Sequence, residues 1–432
     1  MKIVFLCGGI GKRMFPIVKD KFLLKFLGKT LLEHHIKQAL DAGFRDFVII
    51  GNPSNVEPIR KICDNMDLNA AIFVQKSPKG MADALLTAKD YLLNDEILVV
   101  NPNDIFDKSL YNKILEERGK GEYSSFITGY RVSKYFPGGY LVVNDELELL
   151  SIHEKPGEGN EPSDLVNIVV HLHKDVAKLF NYIEETCSPK DDVYECALTK
   201  MISDGIKVKV VEYSGNWVAI KYPWHIHDVV KYFLDSIKTP LIKDSVKVSD
   251  NVQIHGNVII DDNVKLLEGA IVKGPCYIGK NTVVGNNVLI RDYSHIGENC
   301  SIGYSTEITR SYIGDNCFFH SNFIGDSIVC DNCLFGYGTI TANYRLDQGT
   351  VKVNVNESRI DSGRSKLGAI VGEGTRIGVG CMIMPGVRLG PNSIIGPGII
   401  VYDDVGPKKK VLLKQEYTIS DSLGGADDAK KL

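Results

Sequence analysis

Val248, Ile254, Ile260, Leu266, Val272, Ile278, Val284, Ile290, Ile296, Ile302 and Ile308 are spaced six residues apart without a break. Two positions before each stands a second ladder of mostly small or slender side chains: Val246, Val252, Val258, Val264, Ala270, Cys276, Thr282, Val288, Ser294, Cys300 and Thr306. A helix repeats its apolar face about every 3.6 residues and a strand every two, so neither produces this step. A parallel β-helix with three flat faces does. Each face takes six residues, the aliphatic residue fills the interior, and the small residues suit a narrow one. The step returns at Val371, Ile377, Ile383, Leu389, Ile395 and Val401. About seven coils at the spacing of sheet strands give a prism roughly 34 Å long. Outward aliphatics such as Ile259 and Val283 ask for a partner surface.

Between residues 309 and 370 the register breaks. One residue is missing near Ile313, and "NYRLDQGTVKVNVNESRIDSGRSKLG" leaves the pattern altogether. Function in a repeat fold gathers where an insertion leaves the stack. After Val405 the chain is polar and aperiodic, which predicts a poorly ordered tail over 406–432.

From Met1 to about Lys238 the pattern is different. "MKIVFL", "DFVII", "AAIFV" and "EILVV" read as buried strands. "TLLEHHIKQALDAG" and "GMADALLTAKDYLL" read as the helices between them, the first stopping at Gly43. Such alternation predicts an α/β domain over 1–238 with a parallel sheet covered on both faces, and a prism over 239–405. Ligands of such sheets sit at the carboxyl ends of strands. The net charge of −4 excludes a general nucleic-acid binder. No apolar run approaches a signal peptide or a membrane span. Ten thinly spread cysteines predict reduced thiols in a cytoplasmic protein. Cys330 and Cys333 form a single CxxC with no second pair, so zinc is not expected.

The stretch "CGGIGKRMFPIVKDKFLLKF", residues 7–26, follows the first strand. Its glycines admit two readings: a tight turn, or a set of amides that binds phosphate. Arg13 and Lys21 add positive charge beside them. The run resembles the signature of sugar-1-phosphate nucleotidylyltransferases, in which a glycine-rich turn, an Arg and a Lys follow one another, here Gly9, Gly11, Arg13 and Lys21. "QKSPKGMADAL" is similar to the family's base-binding segment, which sets Gln75 and Gly80 against a nucleobase. "VVNPNDIF" resembles its strand ending in a metal-binding Asp, here Asp104. "GGYLVVNDELELLSIHEKP" supplies Gly139, Glu154 and Lys155 as sugar contacts, and Asn167 matches another. The resemblance spans residues 1 to about 235. It implies a Rossmann-like nucleotidyltransferase domain and attack by a sugar phosphate on the α-phosphorus of UTP or dTTP. Lys21 would hold the sugar phosphate, Arg13 the leaving pyrophosphate, and Asp104 a Mg²⁺ ion.

The family reads W-x-D-I-G-x-P-W-D near the domain end, and this chain reads "WVAIKYPWHIHD". Ala219 replaces a second metal-binding Asp, Lys221 a Gly and His225 an Asp. Asn103 and Ile168 also replace glycines. His225 and His227 read as surface histidines at a helix start. The departures leave an alternative, a catalytically degenerate nucleotide- or sugar-binding relative.

The second half resembles hexapeptide-repeat acyltransferases, left-handed β-helices that assemble as trimers. The whole chain is most similar to archaeal proteins that fuse both activities. His320 falls on that family's general base, Asn343 and Lys366 on substrate-contacting positions, and acetyl-CoA is the implied cosubstrate. Phe323, Leu334 and Tyr337 replace the usual Tyr, Asn and Ala of the pocket.

Overall fold

The computed structural model describes residues 1–419 apart from Ile10 and Lys12; the expected tail from 420 onward lies outside the described residues. The first half is built on a nine-stranded mixed sheet. Its parallel part runs Ile97–Val100, Lys2–Leu6, Asp46–Gly51, Ala70–Val74 in spatial order. Leu165–His173 then joins Ile97–Val100 antiparallel and extends the sheet to Gly139–Val143 and Ser125–Arg131. The central strands are apolar on both faces and fully buried, as a sheet covered on both sides requires. The helix Leu31–Asp41 starts at a reciprocal cap: Thr30 Oγ1 accepts from the Glu33 N–H, and Glu33 accepts from the Thr30 N–H. The second expected helix is two, Gly80–Thr87 and Lys89–Leu92.

The second half is a left-handed parallel β-helix whose faces hold eight, nine and eight strands. Nine strands at sheet spacing span about 38 Å, longer than the expected seven coils. Two facts account for the difference. Lys410–Val411 pairs with Ile394–Ile395 and adds a strand beyond Val405. The stack also continues through the irregular region. Ile313, Phe319, Ile324, Val329, Phe335 and Thr341 occupy the interior there, and three of their steps are five residues long instead of six. The Phe319 and Phe335 rings stack at 4.8 Å inside the prism. Only the segment from about 343 to 367 leaves the stack, and it forms the hairpin Lys352–Val355/Ser358–Asp361.

One outward row does not face solvent. Ile259, Tyr277, His295, Tyr312, Ile328 and Ile370 are hydrogen-bonded neighbours on one face. They pack with Met14, Ile17, Leu24, Phe26, Trp224 and Phe233 of the first half in one shared core. The Ile259 row, expected to seek another molecule, is therefore covered by the chain's own α/β domain. Val351, Val353 and Val355 of the hairpin join that core, so the apolar side of the insertion serves the domain junction. The row containing Val283 stays open, with Phe318, Leu334 and Ile394 exposed.

Phe335→Ala removes a ring stacked in a close-packed interior and leaves a void there. It is expected to destabilise the chain by about 3–5 kcal/mol, read as a lowered midpoint in denaturant unfolding of the full chain.

Candidate active site

A cleft of about 500 Å³ opens at the carboxyl ends of the parallel strands. Gly9, Gly11, Arg13, Lys21, Gln75, Gly80, Asp104, Gly139, Glu154, Lys155 and Asn167 all line it. The eleven positions singled out in the first half thus share one cavity, although they are spread over more than 150 residues of sequence.

Its floor is shaped by close approach. A Cβ on Gly8 would lie 2.1 Å from Gln75 Oε1, so any larger residue there would displace the Gln75 amide. Gln75 is buried, and its Nε2 donates to Gly80 O at 3.2 Å and to Asp83 Oδ2 at 2.7 Å. Gly80 has φ +92°, a conformation that favours glycine.

One end of the cleft is cationic. The strand Trp217–Ala219 pairs antiparallel with Asp104–Phe106, and Ala219 lies directly opposite Asp104. Lys221 follows Ala219 by two residues and also lines the cleft. Its ammonium lies 5.1 Å above the Phe136 ring, a cation–π contact. Its backbone N–H donates to His225 Nδ1 at 3.1 Å. Lys21 Nζ donates to Ile220 O at 2.9 Å. Burial lowers the Lys21 pKa to about 8, with Lys221 and Arg13 adding to the effect. Burial raises the Asp104 carboxyl, against the opposing pull of Lys221 and Lys21. His225 and His227 are half-buried and not exposed. Burial lowers both to about 4, so they are neutral and His225 acts as a backbone support beneath Lys221.

A metal ion would find a sparse donor set. Among the described residues no group of three or more His, Cys, Asp or Glu side chains is placed to hold one, and Ala219 offers only a methyl group. Mg²⁺ keeps several waters and is held through one or two carboxylates plus substrate phosphates. Asp104 fits an ion that enters with a nucleotide.

The other end is built for hydrogen bonding. Asn167 Oδ1 lies 2.8 Å from His171 Nε2, His171 Nδ1 2.8 Å from Tyr194 OH, Tyr194 OH 2.8 Å from His173 Nε2, and His173 Nδ1 2.8 Å from Ser125 Oγ. Burial holds both histidines far below their usual pKa. One proton assignment satisfies the run: each imidazole donates through Nε2 and accepts through Nδ1. Asn167 is left with its amide N–H groups free to donate to a ligand. A Cβ on Gly139 would lie 2.9 Å from Glu154 Oε2. Glu154 also pairs with Lys155 at 2.5 Å, and Lys155 is held at φ +48°, a strained conformation of the kind found at ligand sites.

Lys221, Tyr194 and Glu195 line the cleft without having been singled out as site residues. Lys221 was legible only as a departure from a glycine. Nothing local in "DVYECAL" marks Tyr194 or Glu195, which enter through the tertiary fold.

The acyl-transfer positions do not gather in one chain. His320 stands at the corner between Phe318–Phe319 and Phe323–Gly325, its ring 4.9 Å from the Phe318 ring and edge-on to it. Asn343 follows Ile340–Thr341 at the far corner of the next face, where its Nδ2 donates to Asp326 Oδ2 at 2.6 Å. Lys366 bridges to Tyr344 on that same side. Tyr337 is 64% exposed and Leu334 38%.

This is a nucleotide-sized cleft on an α/β sheet, joined to a hexapeptide-type prism. Residues 2–220 match the nucleotidyl transferase family, and residues 275–310 and 368–398 match the bacterial transferase hexapeptide repeats. The chain belongs to the nucleotidyl transferase family and is an enzyme of that type. It is 35% identical over 388 residues to a bifunctional sugar-1-phosphate nucleotidylyltransferase/acetyltransferase of Sulfurisphaera tokodaii, covering 88% of this chain and 92% of that one. It is 34% identical to the bifunctional protein GlmU of Methanocaldococcus jannaschii, over 88% of this chain and 89% of that one. A glucose-1-phosphate thymidylyltransferase of Neisseria meningitidis is 27% identical over 161 residues, 36% of this chain and 56% of that one. No helix among the described residues is long and apolar enough to cross a membrane.

Glu195 is buried beside Glu154, and burial, with Glu154 adding to it, raises its pKa to about 8. In the unfolded chain it ionises in the ordinary carboxylate range. Between those values the folded state binds the extra proton, so this group makes stability fall as pH rises. Glu195→Gln removes that slope. The variant is expected to gain in melting temperature over the wild type between about pH 5 and pH 8; parallel melting curves across this window would show instead that Glu195 ionises normally.

Proposed function

We propose that the first half transfers a nucleotidyl group from UTP or dTTP to a sugar 1-phosphate, and that the prism transfers an acetyl group from acetyl-CoA to an amino-sugar phosphate. The observation that carries the first reading is the polarity of the cleft: Arg13, Lys21 and Lys221 with Asp104 at one end, Asn167 and Glu154 at the other. A sugar bearing a phosphate matches that polarity, and a triphosphate matches the glycine turn.

In this reaction a sugar-phosphate oxygen attacks the α-phosphorus, the bond to the β-phosphate oxygen breaks, and pyrophosphate leaves. The protein's part is alignment and charge neutralisation. Lys21 holds the attacking phosphate, Arg13 and the glycine amides the departing pyrophosphate, and Gln75 and Gly80 the base. Lys221 adds a fixed positive charge at the reacting end. A Mg²⁺ ion held by Asp104 and phosphate oxygens supplies further neutralisation when bound. Lys221 speaks against a catalytically degenerate relative, because the position that lost a carboxylate neighbour at Ala219 gained an ammonium facing the same cleft. The thymidylyltransferase of Neisseria supports a pyrimidine donor, and the archaeal bifunctional relatives support a sugar 1-phosphate acceptor. The protein is expected in the cytoplasm.

Pyrophosphate release from UTP and dTTP with a panel of sugar 1-phosphates tests the reading. Asp104→Ala is expected to abolish turnover with the fold intact. Lys221→Met is expected to lower kcat about 10²–10³-fold, the range found when one preorganised charge donor is removed. Unchanged release in Asp104→Ala defeats the metal assignment.

For the prism, His320 is read as the base that takes a proton from the attacking amine. Because His320 and Asn343 stand at different corners, a complete pocket needs a neighbouring prism, and the open row of Phe318, Leu334 and Ile394 supports a homotrimer. Leu334 and Phe323 give sugar hydroxyls no partners, which costs roughly 1–3 kcal/mol per unpaired group. Acetylation of glucosamine 1-phosphate is therefore expected to be slow, or a less polar amino sugar preferred. Thiol release from acetyl-CoA, compared with His320→Ala and with the molecular mass by light scattering, checks this. A monomeric wild type would remove the shared pocket, and fast, His320-dependent turnover of glucosamine 1-phosphate would show that the apolar walls are no obstacle.

A further inference from the structure

Three lysines lie close together in the segment that follows the glycine turn, and the fold sends them to two places. Lys21 reaches into the cleft. Lys19 pairs with Asp331 on the prism. Lys25 pairs with Asp315 at 2.9 Å and Glu298 at 3.5 Å, also on the prism. The backbone between and beyond them is held by the same surface. Tyr312 OH donates to Lys25 O at 3.1 Å, and the Leu27 N–H donates to His295 Nε2 at 3.2 Å. The Arg388 guanidinium lies 5.1 Å over the Phe15 ring. Met14, Ile17, Leu24 and Phe26 are buried in the shared core. The segment that delivers Lys21 to the first-half cleft thus rests on the other half of the chain along most of its length.

We infer that the prism completes the nucleotidyltransfer site: Lys19 and Lys25, through Asp331, Asp315 and Glu298, are positioning residues that set the reach of Lys21. The inference rests on the nucleotidyltransfer reading. Its physical basis is the sensitivity of phosphoryl transfer to placement, where a shift of about 1 Å can cost about 10²-fold in rate. The base-binding residues Gln75 and Gly80 follow a different strand, so loosening the 14–28 segment is expected to spare nucleotide affinity.

The experiment uses the full chain carrying Asp315→Asn and Asp331→Asn together; neither position lines the cleft. The expected result is a fall of about 10–100-fold in kcat/KM for the sugar phosphate, with the Kd for the nucleoside triphosphate, by calorimetry, unchanged. A kcat/KM equal to wild type, or a loss of triphosphate affinity in the same proportion, overturns the inference. Lys19→Asp and Asp331→Lys, singly and together, guard against simple unfolding. The reversed pair is expected to recover most of what either single variant loses, and folded single variants that the double variant fails to rescue would also overturn it. A wild type that releases no pyrophosphate with any sugar phosphate would instead refute the proposed reaction.

Discussion

Phe26 lies 5.4 Å from the Tyr312 ring and 5.9 Å from the His295 ring, and the two halves of the chain meet on that contact. Tyr277, His295 and Tyr312 stack on one another along the prism at 4.8 and 5.0 Å. Each coil returns to the same outward position on the face, so a single row of rings arises from residues 17 and 18 apart. Burial keeps His295 neutral, lowering it to about 4, so the row is an uncharged aromatic strip. Such a strip suits the underside of a loop better than it suits water. With that face taken by the α/β domain, two faces of the prism remain for solvent or for other copies.

The prism was legible because each face sends the same two positions inward, a large aliphatic and a slimmer side chain two residues before it, which imposes a fixed step over many turns. Its middle was less legible. Corners can lose one residue without disturbing hydrogen bonding between coils, so Ile313, Ile324 and Val329 fall five residues after their predecessors and the pattern goes out of phase while the stack does not. The strand Lys410–Val411 was hidden by its lysines, since it has one exposed neighbour and little to bury. In the first half the parallel strands announced themselves as unbroken apolar runs. The antiparallel extension did not, because Leu165–His173 mixes Asn167, His171 and His173 into a buried strand whose polar groups satisfy one another.

Site residues divide along the same line. Gly9, Gly11, Lys21 and Asp104 follow the buried strands Lys2–Leu6 and Ile97–Val100, where local chemistry is readable from neighbours in sequence. Lys221 and Glu195 acquire meaning from what the fold brings opposite them, Asp104 and Glu154 respectively. His225 and His227 read as exposed because helix starts usually are, but this helix, Ile226–Asp235, is packed in the core shared by the 14–31 segment and the prism. The basic character of residues 19–25 was the least decidable feature. Lysines that bind phosphate and lysines that bind carboxylates look alike until the carboxylates, some 290 residues away for Lys25 and Asp315, are in place.

That separation also sets an order of events during synthesis. The 14–28 segment leaves the ribosome early, and the coils that grip it are made last but a few. At about 5–20 residues per second the interval is on the order of 15–60 s. Throughout it the α/β sheet can form while the segment bearing Lys21 has neither Asp315, Asp331 nor the aromatic strip to settle on. The nascent chain can therefore form its α/β sheet before the coils that pair with Lys19 and Lys25 exist, and the 14–28 segment settles on them only when Asp315 and Asp331 have been made.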